Sequence, residues 1–246
     1  GPDGLYSANA SIPGLVTGSA AQFAELALSF GTPTIGRMRI TTAPSTTVTR
    51  PVLLFGAGYN GGVNSSGVRI AKDANNSRAA TAAAAVGLDD SAGNALYVVD
   101  ATTGELIWKA NRSAGTTITA YDSTTRSFRH PLMADGIASE VSALDTDGDG
   151  LTDRVYVGDT GGRVWRADFP GTDRSTWTIG PIASLGRSHP TGSATADATN
   201  ADDRRFFHAP DYVPGRDASG SFDAVVIGSG DREDPFNNGT GNWLYT

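Results

Sequence analysis

The stretch Arg154-Val-Tyr-Val-Gly-Asp-Thr-Gly-Gly-Arg-Val-Trp-Arg-Ala-Asp168 decides the fold. Two β-branched or aromatic runs flank Asp159-Thr-Gly-Gly162, turn chemistry between two strands, so the stretch reads as a β-hairpin. The same grammar, an apolar strand ending in glycines and then a second strand carrying an aromatic, occurs twice more. Pro51-Val-Leu-Leu-Phe-Gly-Ala-Gly58 resumes at Gly93-Asn-Ala-Leu-Tyr-Val-Val-Asp100, and Ala224-Val-Val-Ile-Gly-Ser-Gly230 resumes at Gly241-Asn-Trp-Leu-Tyr245. Recurrence of one hairpin with loops of unequal length points to a repeat architecture.

Strand-like segments precede each hairpin at 33–40, 138–144 and 205–213, and fourth strands follow two of them at 105–109 and 175–179. Antiparallel units of four strands, repeated at about 75 to 100 residues, are the pattern of propeller blades with insertions. The expected fold is all-β: a modified β-propeller of antiparallel four-stranded blades with long insertions and few helices. Residues 1–246 are expected to form a single domain, a portion of a larger protein, with blades at about 33–109, 130–179 and 205–246. A propeller ring normally needs about four to eight blades, so others are expected in 1–30 and 180–205 or elsewhere in the larger protein. The sequence ends immediately after a strand-like run, so the last blade is expected to be unfinished. One helix is expected over Ala20–Ser29, where Phe23, Leu26 and Phe30 recur at helical spacing and Gly31 with Pro33 stop it. Residues 60–92 read as a long, polar, mobile insertion; within it Ala79–Val86 is helix-permissive but has no apolar face.

Composition agrees with a turn-rich body. The 246 residues include 31 glycines, 39% apolar residues, 18% charged residues and no cysteine. That is enough apolar material for a core. No apolar run approaches the roughly 18 residues of a membrane helix, and no basic-then-apolar leader opens the chain, so a targeting segment is expected to be removed or never present. The missing cysteines exclude disulfides, thiolate metal sites and cysteine nucleophiles. A formal charge of −7 disfavours binding to nucleic acid or anionic lipid. Of the 26 acidic residues 22 are Asp, which favours turns, caps and oxygen-lined cation sites.

Four of those aspartates stand in Asp145-Thr-Asp-Gly-Asp-Gly-Leu-Thr-Asp153. Carboxylates at the first, third, fifth and ninth positions can converge on one cation, Gly150 makes the sharp turn, and the Leu151 carbonyl occupies the seventh position. Calcium takes such an array of hard oxygens, and the four charges repel one another without a cation. The first seven positions match an EF-hand loop, but Tyr156 stands where that loop closes with Glu. The expectation is a shorter Ca2+ loop set between strands, with Asp145, Asp147, Asp149, Leu151 and Asp153 as ligands. Magnesium and a metal-free surface turn are the alternatives.

Other motifs read as structural. Gly56-Ala-Gly-Tyr-Asn-Gly61 matches G-x-G-x-x-G after a strand, but the following Gly62-Val-Asn-Ser-Ser-Gly67 is poor helix material, whereas a dinucleotide site needs a helix N-terminus there. The histidines, His130, His189 and His208, accompany no Gly-x-Ser-x-Gly nucleophile motif. Asp100, Asp168 and Asp231 end strands and read as Asx-turn caps. Trp108, Trp165, Trp177 and Trp243 read as core.

Asp145 to Asp168, DTDGDGLTDRVYVGDTGGRVWRAD, resembles the calcium loop and following hairpin of the PilY1-type C-terminal β-propeller family, a type IV pilus biogenesis factor and tip adhesin. PVLLFGAGYN with GNALYVVDATTGELIWKA, and VVIGSGDREDPFNNGTGNWLYT, extend the resemblance over about residues 30–246. It implies a calcium-binding, non-catalytic surface module acting in pilus assembly, extension and retraction, twitching motility and adhesion. It also implies location at the bacterial cell surface, outer membrane or pilus tip, and pilin or minor pilins as partners. The large N-terminal adhesive region of the family is not in this chain. Two other readings are weighed. Asp100-Ala-Thr-Thr-Gly-Glu-Leu-Ile-Trp108 resembles a repeat of quinone-dependent dehydrogenase propellers, but only one unit carries it and no cysteine pair exists. An integrin-like calcium propeller that binds a protein ligand shares the D-x-D-x-D-G-x-x-D loop, which recurs there and occurs once here.

Overall fold

A computed structural model describes residues 20–29, 31–42, 45–60, 90, 92–113, 115–186, 204–232, 235–236 and 240–246. Their strands form three sheets. In the first, β1 (Thr34–Thr42), β2 (Thr46–Gly56), β3 (Ala95–Asp100) and β4 (Leu106–Arg112) run antiparallel in order. Two short strands, β5 (Thr119–Asp122) and β6 (Ser127–His130), extend it, with β6 parallel to β4. The second sheet is β7 (Ser142–Leu144), β8 (Arg154–Gly158), β9 (Arg163–Asp168) and β10 (Thr178–Ser184), each antiparallel to the next. The third is β11 (Asp211–Asp217), β12 (Gly220–Gly228) and β13 (Leu244–Tyr245).

The deciding hairpin forms as read: β8 pairs with β9 from Arg154↔Asp168 to Gly158↔Val164. The other two hairpins are β2–β3 and β12–β13. Among the described residues the fold is all-β and almost free of helix, with several antiparallel sheets. The expected four-stranded unit is complete in the second sheet, exceeded in the first and reduced to three strands in the third. Among the described residues these strands close no barrel or ring.

Several expectations are corrected. The strand expected at 205–213 runs Asp211–Asp217, because Arg205 and Phe206 are buried side chains of a connecting segment. The strand expected at 175–179 begins at Thr178, since Asp173 caps a 3-10 turn over Arg174–Thr176 by accepting from the Ser175 N–H. The helix expected at 20–29 is only a 3-10 turn, Ala20–Phe23. Beyond it the Ala27 and Leu28 N–H groups donate to the Ala57 and Tyr59 carbonyls, so the backbone is used to extend the β2 end. Phe30 lies outside the described residues, as do 61–89, 91 and most of 1–30 and 180–205, where the insertion and further blades were expected. Of the insertion's described residues, Asn60 and Asp90 are buried and Ala92 is half-buried.

The first two sheets share one core. Met38, Val52 and Trp108 of the first pack with Val155, Trp165 and the adjoining Trp177 of the second. Each of the three tryptophans is at most 1% exposed, and a buried ring of about 200 Å² is worth about 5 kcal/mol before entropy costs. Trp243, expected in the core, is 61% exposed. The third sheet joins the second through Val164, Phe206 and Ile227.

Candidate metal centre

The loop Asp145–Asp153 is the connection of the β7–β8 hairpin. Its stems are closed by the Leu144↔Arg154 pair and by the Asp153 N–H donating to the Leu144 carbonyl at 2.9 Å. Two more backbone bonds tie its far end to the body: Thr152 N–H to the Arg37 carbonyl of β1 at 2.8 Å, and Phe169 N–H to the Asp153 carbonyl at 2.7 Å.

Inside the loop, aspartate side chains accept from the backbone ahead of them. Asp145 Oδ1 accepts from the N–H groups of Gly148 (2.7 Å) and Asp149 (3.2 Å), and its Oδ2 from Gly150 (2.7 Å). Asp147 Oδ1 accepts from Asp149 and Asp149 Oδ1 from Leu151, two Asx-turns in succession. Gly148 and Gly150 hold φ of 82° and 81°, the left-handed region that lets the backbone curl its N–H groups inward. The Gly150 N–H, with those of Gly148 and its neighbours, holds the Asp145 carboxyl below the usual carboxylate range.

The structure brings three of the four predicted carboxylates together: Asp145, Asp147 and Asp149 each offer an oxygen within 4.8 Å of the others, and all three are exposed. Asp153 stands apart from that group. Its Oδ2 accepts from the Thr146 N–H (2.7 Å) and hydroxyl (2.8 Å), which ties the loop's last residue to its second. Leu151 is half-buried and, with Asp147, Asp149 and Asp153, lines a cavity of about 160 Å³ against Met38 and Trp177. The donor set fits a hard divalent cation. A carboxylate has about four lone-pair sites, Asp145 uses three, and the Oδ2 atoms of Asp147 and Asp149 accept nothing from the described residues.

The remaining candidates are structural. A Cβ on Gly56 would meet the Ile137 carbonyl oxygen at 2.3 Å, and one on Gly58 the Leu28 oxygen at 2.5 Å, so these glycines admit neighbouring backbone. Gly61 and the residues after it lie outside the described residues. His130 is buried edge-on against Trp165, accepts from the Leu132 N–H, and has its pKa lowered by burial and by Arg163 and Arg112. His208 is exposed and His189 lies outside the described residues. Asp100 caps a turn as expected, accepting from the Thr102 and Thr103 N–H groups. Asp168 and Asp231 instead pair with arginines, Asp168 with Arg154 and Arg166, Asp231 with Arg205.

Asp159 was seen in the sequence only as a turn residue. It is fully buried, accepts from the Gly161 and Arg163 N–H groups and the Trp165 indole (2.7 Å), and burial with Asp135 nearby pushes its carboxyl up to about 6. With no solvent contact it organises the β8–β9 turn and offers no reaction site. Its signal was local: Asp159 opens the turn that the hairpin reading identified.

No family model matches the chain. A curated type IV pilus biogenesis factor PilY1 homolog from Xylella fastidiosa (strain Temecula1 / ATCC 700964) is 33% identical over 95 residues, 39% of this chain and 6% of that protein. This match bears out the PilY1-type resemblance. Among solved structures, the Pseudomonas aeruginosa PilY1 C-terminal domain aligns over 89% of this chain and 35% of its own, at 16% identity and a TM-score of 0.41. A likeness of that size carries no argument about architecture. The chain spans a small part of the curated relative and about a third of the solved one.

Proposed function

We propose that this chain is a calcium-binding, non-catalytic domain of a type IV pilus-associated surface protein, and that its three sheets are blades of a modified propeller formed by residues 1–246. The observation that carries the reading is the Asp145–Asp153 loop, whose three clustered carboxylates are all-oxygen donors on a preformed turn. Asp145, Asp147, Asp149, the Leu151 carbonyl and Asp153 would hold the ion. Bound there, calcium supplies a divalent positive charge that offsets four carboxylates. The chain's own residues do the rest. Gly148 and Gly150 shape the turn, Thr146 joins Asp153 to the loop's start, and Thr152 links the loop to β1. Among the described residues no helix is long and apolar enough to cross a membrane.

The similarity to a type IV pilus biogenesis factor supports a pilus-associated, cell-surface or exported protein acting in pilus biogenesis; the proposal extends this to pilus-tip placement, extension and retraction, twitching motility, adhesion, and pilin or minor pilins as partners. Calcium at 100 times its Kd stabilises a folded state by about 2.7 kcal/mol. For a chain of this length that raises Tm by about 5–10 °C. Melting with excess calcium and with chelator reads this directly, and an unchanged midpoint overturns the calcium reading. A pull-down with purified pilin and minor pilins tests the partners.

A further inference from the structure

β12 is covered unequally on its two sides. β11 pairs with it from Gly220 to Val226, whereas β13 pairs with it only at Ile227 and Gly228. One step further along the same register the Ser229 N–H donates to the Trp243 carbonyl at 2.9 Å. Hydrogen-bonded positions of an antiparallel ladder recur at every second residue, so Ile227, Val225, Asp223 and Ser221 also turn their N–H and C=O groups toward the β13 side. For the last three, no strand among the described residues stands there to take them. We infer that this edge docks an extended segment of a partner protein, added as a strand antiparallel to β12 and in line with β13. Docking of this kind is independent of calcium in the neighbouring loop.

Sheet edges that stay single are guarded by proline, by outward charge or by a bulge. The outer edge of β11 has such guards in Pro214 and the exposed Asp211, Arg216 and Asp217. The β12 edge has none. Its one charged side chain, Asp223, points into the groove between the second and third sheets, where Arg154 Nη1 donates to it at 2.7 Å and the Tyr156 hydroxyl at 3.3 Å. Alternating free N–H and C=O groups along a strand match another extended backbone, so the edge itself selects a strand over a small molecule.

The two faces of the vacant position set the side chains of the added strand. Outward, by register, lie Phe222, Ala224 and Val226 with Val213 and Leu244, and of these Val213, Phe222 and Leu244 are 54%, 47% and 72% exposed. Apolar, β-branched side chains suit that face as cross-strand neighbours. Inward is the groove, a cavity of about 560 Å³ that Arg166 of β9 lines together with Ser221 and Asp223 of β12. Arg166 is opposite Tyr156 in the β8–β9 ladder, so both share the face of the second sheet that meets Asp223. β13 lies over the start of β9, where Tyr245 packs on Val164 and Ile227, and the vacant edge runs on from there toward Arg166. Charge alternates along Asp223, Arg154, Asp168 and Arg166, each bonded to the next at 2.7–2.8 Å. The series ends on the Arg166 guanidinium, which is 43% exposed and among the described residues bonds only through its Nε. Asp145 also lines the cavity, but at the end of β7, two strands from β9. An acidic side chain on the added strand continues the alternation at Arg166, so the partner segment is one that alternates apolar residues outward with acidic residues inward.

The test is binding and amide hydrogen exchange of the whole chain with a capped peptide of alternating valine and glutamate, and with its counterpart of valine and lysine. The expected result is saturable binding of the glutamate peptide that slows exchange tenfold or more at Ser221, Asp223 and Val225 and leaves Phe222 and Ala224, whose N–H groups face β11, unchanged. The lysine peptide should bind at least tenfold more weakly, and Arg166→Ala should erase that preference. Ser221→Pro removes one edge donor and no bond to β11, so it should weaken binding severalfold at the wild-type Tm. Slow exchange at the three amides in the dilute free chain would give the edge to the chain itself, and slowing that grows with chain concentration would give it to a second copy. Either result, protection by neither peptide, or equal binding of the two peptides to the wild type overturns the inference.

Discussion

Glu25 lies in the segment predicted as a helix and is instead the centre of a latch that fixes residues 20–29 to the first sheet. Its carboxylate accepts from Lys109 Nζ at 2.8 and 3.0 Å, from the Tyr97 hydroxyl at 2.7 Å, and from the Asn111 amide. The Glu25 and Lys109 side chains are 18% and 5% exposed. Replacing Glu25→Ala leaves the Lys109 ammonium, among the described residues, with the Gln22 carbonyl alone and removes a partner of Tyr97 and Asn111. Stranding one partner of a buried pair costs about 3–5 kcal/mol, and the segment's ability to peel away and hydrate Lys109 favours the lower end. At about 2–4 °C per kcal/mol for a chain of this size, Tm should fall by about 6–12 °C. Glu25→Leu with Lys109→Met should recover most of the loss, because neither charge then remains buried. Burial raises the Glu25 pKa, but Lys109, Tyr97 and Asn111 outweigh it and hold the carboxyl below its ordinary 4.5. The latch's stabilisation is therefore complete above that unfolded value and is lost as pH falls through the lower folded one, and Glu25→Gln should flatten this acid limb. Thermal melts from pH 3 to pH 7 read both effects. A Glu25→Ala shift below about 2 °C with an unaltered acid limb would refute a buried latch.

Gly158 abuts Phe206 and Ile227, and an added Cβ would sit 2.5 Å from Phe206 Cβ. Overpacking of this kind costs about 1–3 kcal/mol, so Gly158→Ala should lower Tm by several degrees, and a neutral melt would mean that the second and third sheets are loosely joined. Asp147→Asn removes one negative charge from the loop while keeping a side-chain oxygen for the Asp149 N–H. Its melt in chelator should match or exceed wild type, and its calcium-induced rise should shrink. An undiminished rise would place the ion elsewhere.

What could be read in the sequence was local. The three hairpins are marked by strand-like runs that end in glycines, whatever the length of chain between their strands, and all three form. The candidate loop was legible because its donors stand in nine consecutive residues, although chain order alone did not reveal that Thr146 engages the Asp153 carboxylate. Long-range use of the backbone was not legible. Nothing near Ala27 announces that Ala57 will take its N–H, and that bond prevents the predicted helix. β5 and β6 are four residues each and depend on the parallel partner β4, so neither carries its own signal. The groove is hidden for the same reason: Arg154 and Asp223 stand 69 positions apart.

The position of the Asp145–Asp153 loop determines how an ion there could act on the rest of the molecule. One stem, Arg154, continues to Asp223 of the third sheet, the Thr152 N–H reaches the first sheet, and the Asp153 carbonyl takes the N–H just after β9. All three sheets therefore meet the loop within one or two residues of a proposed ligand. Because three backbone N–H groups already organise Asp145, an ion would find most of its turn formed and would spend little binding energy on ordering it. Its main effect would fall on the joints between sheets, with strand content the same with calcium and with chelator. An ion held there would act as a staple on inter-sheet geometry rather than as a source of strand order.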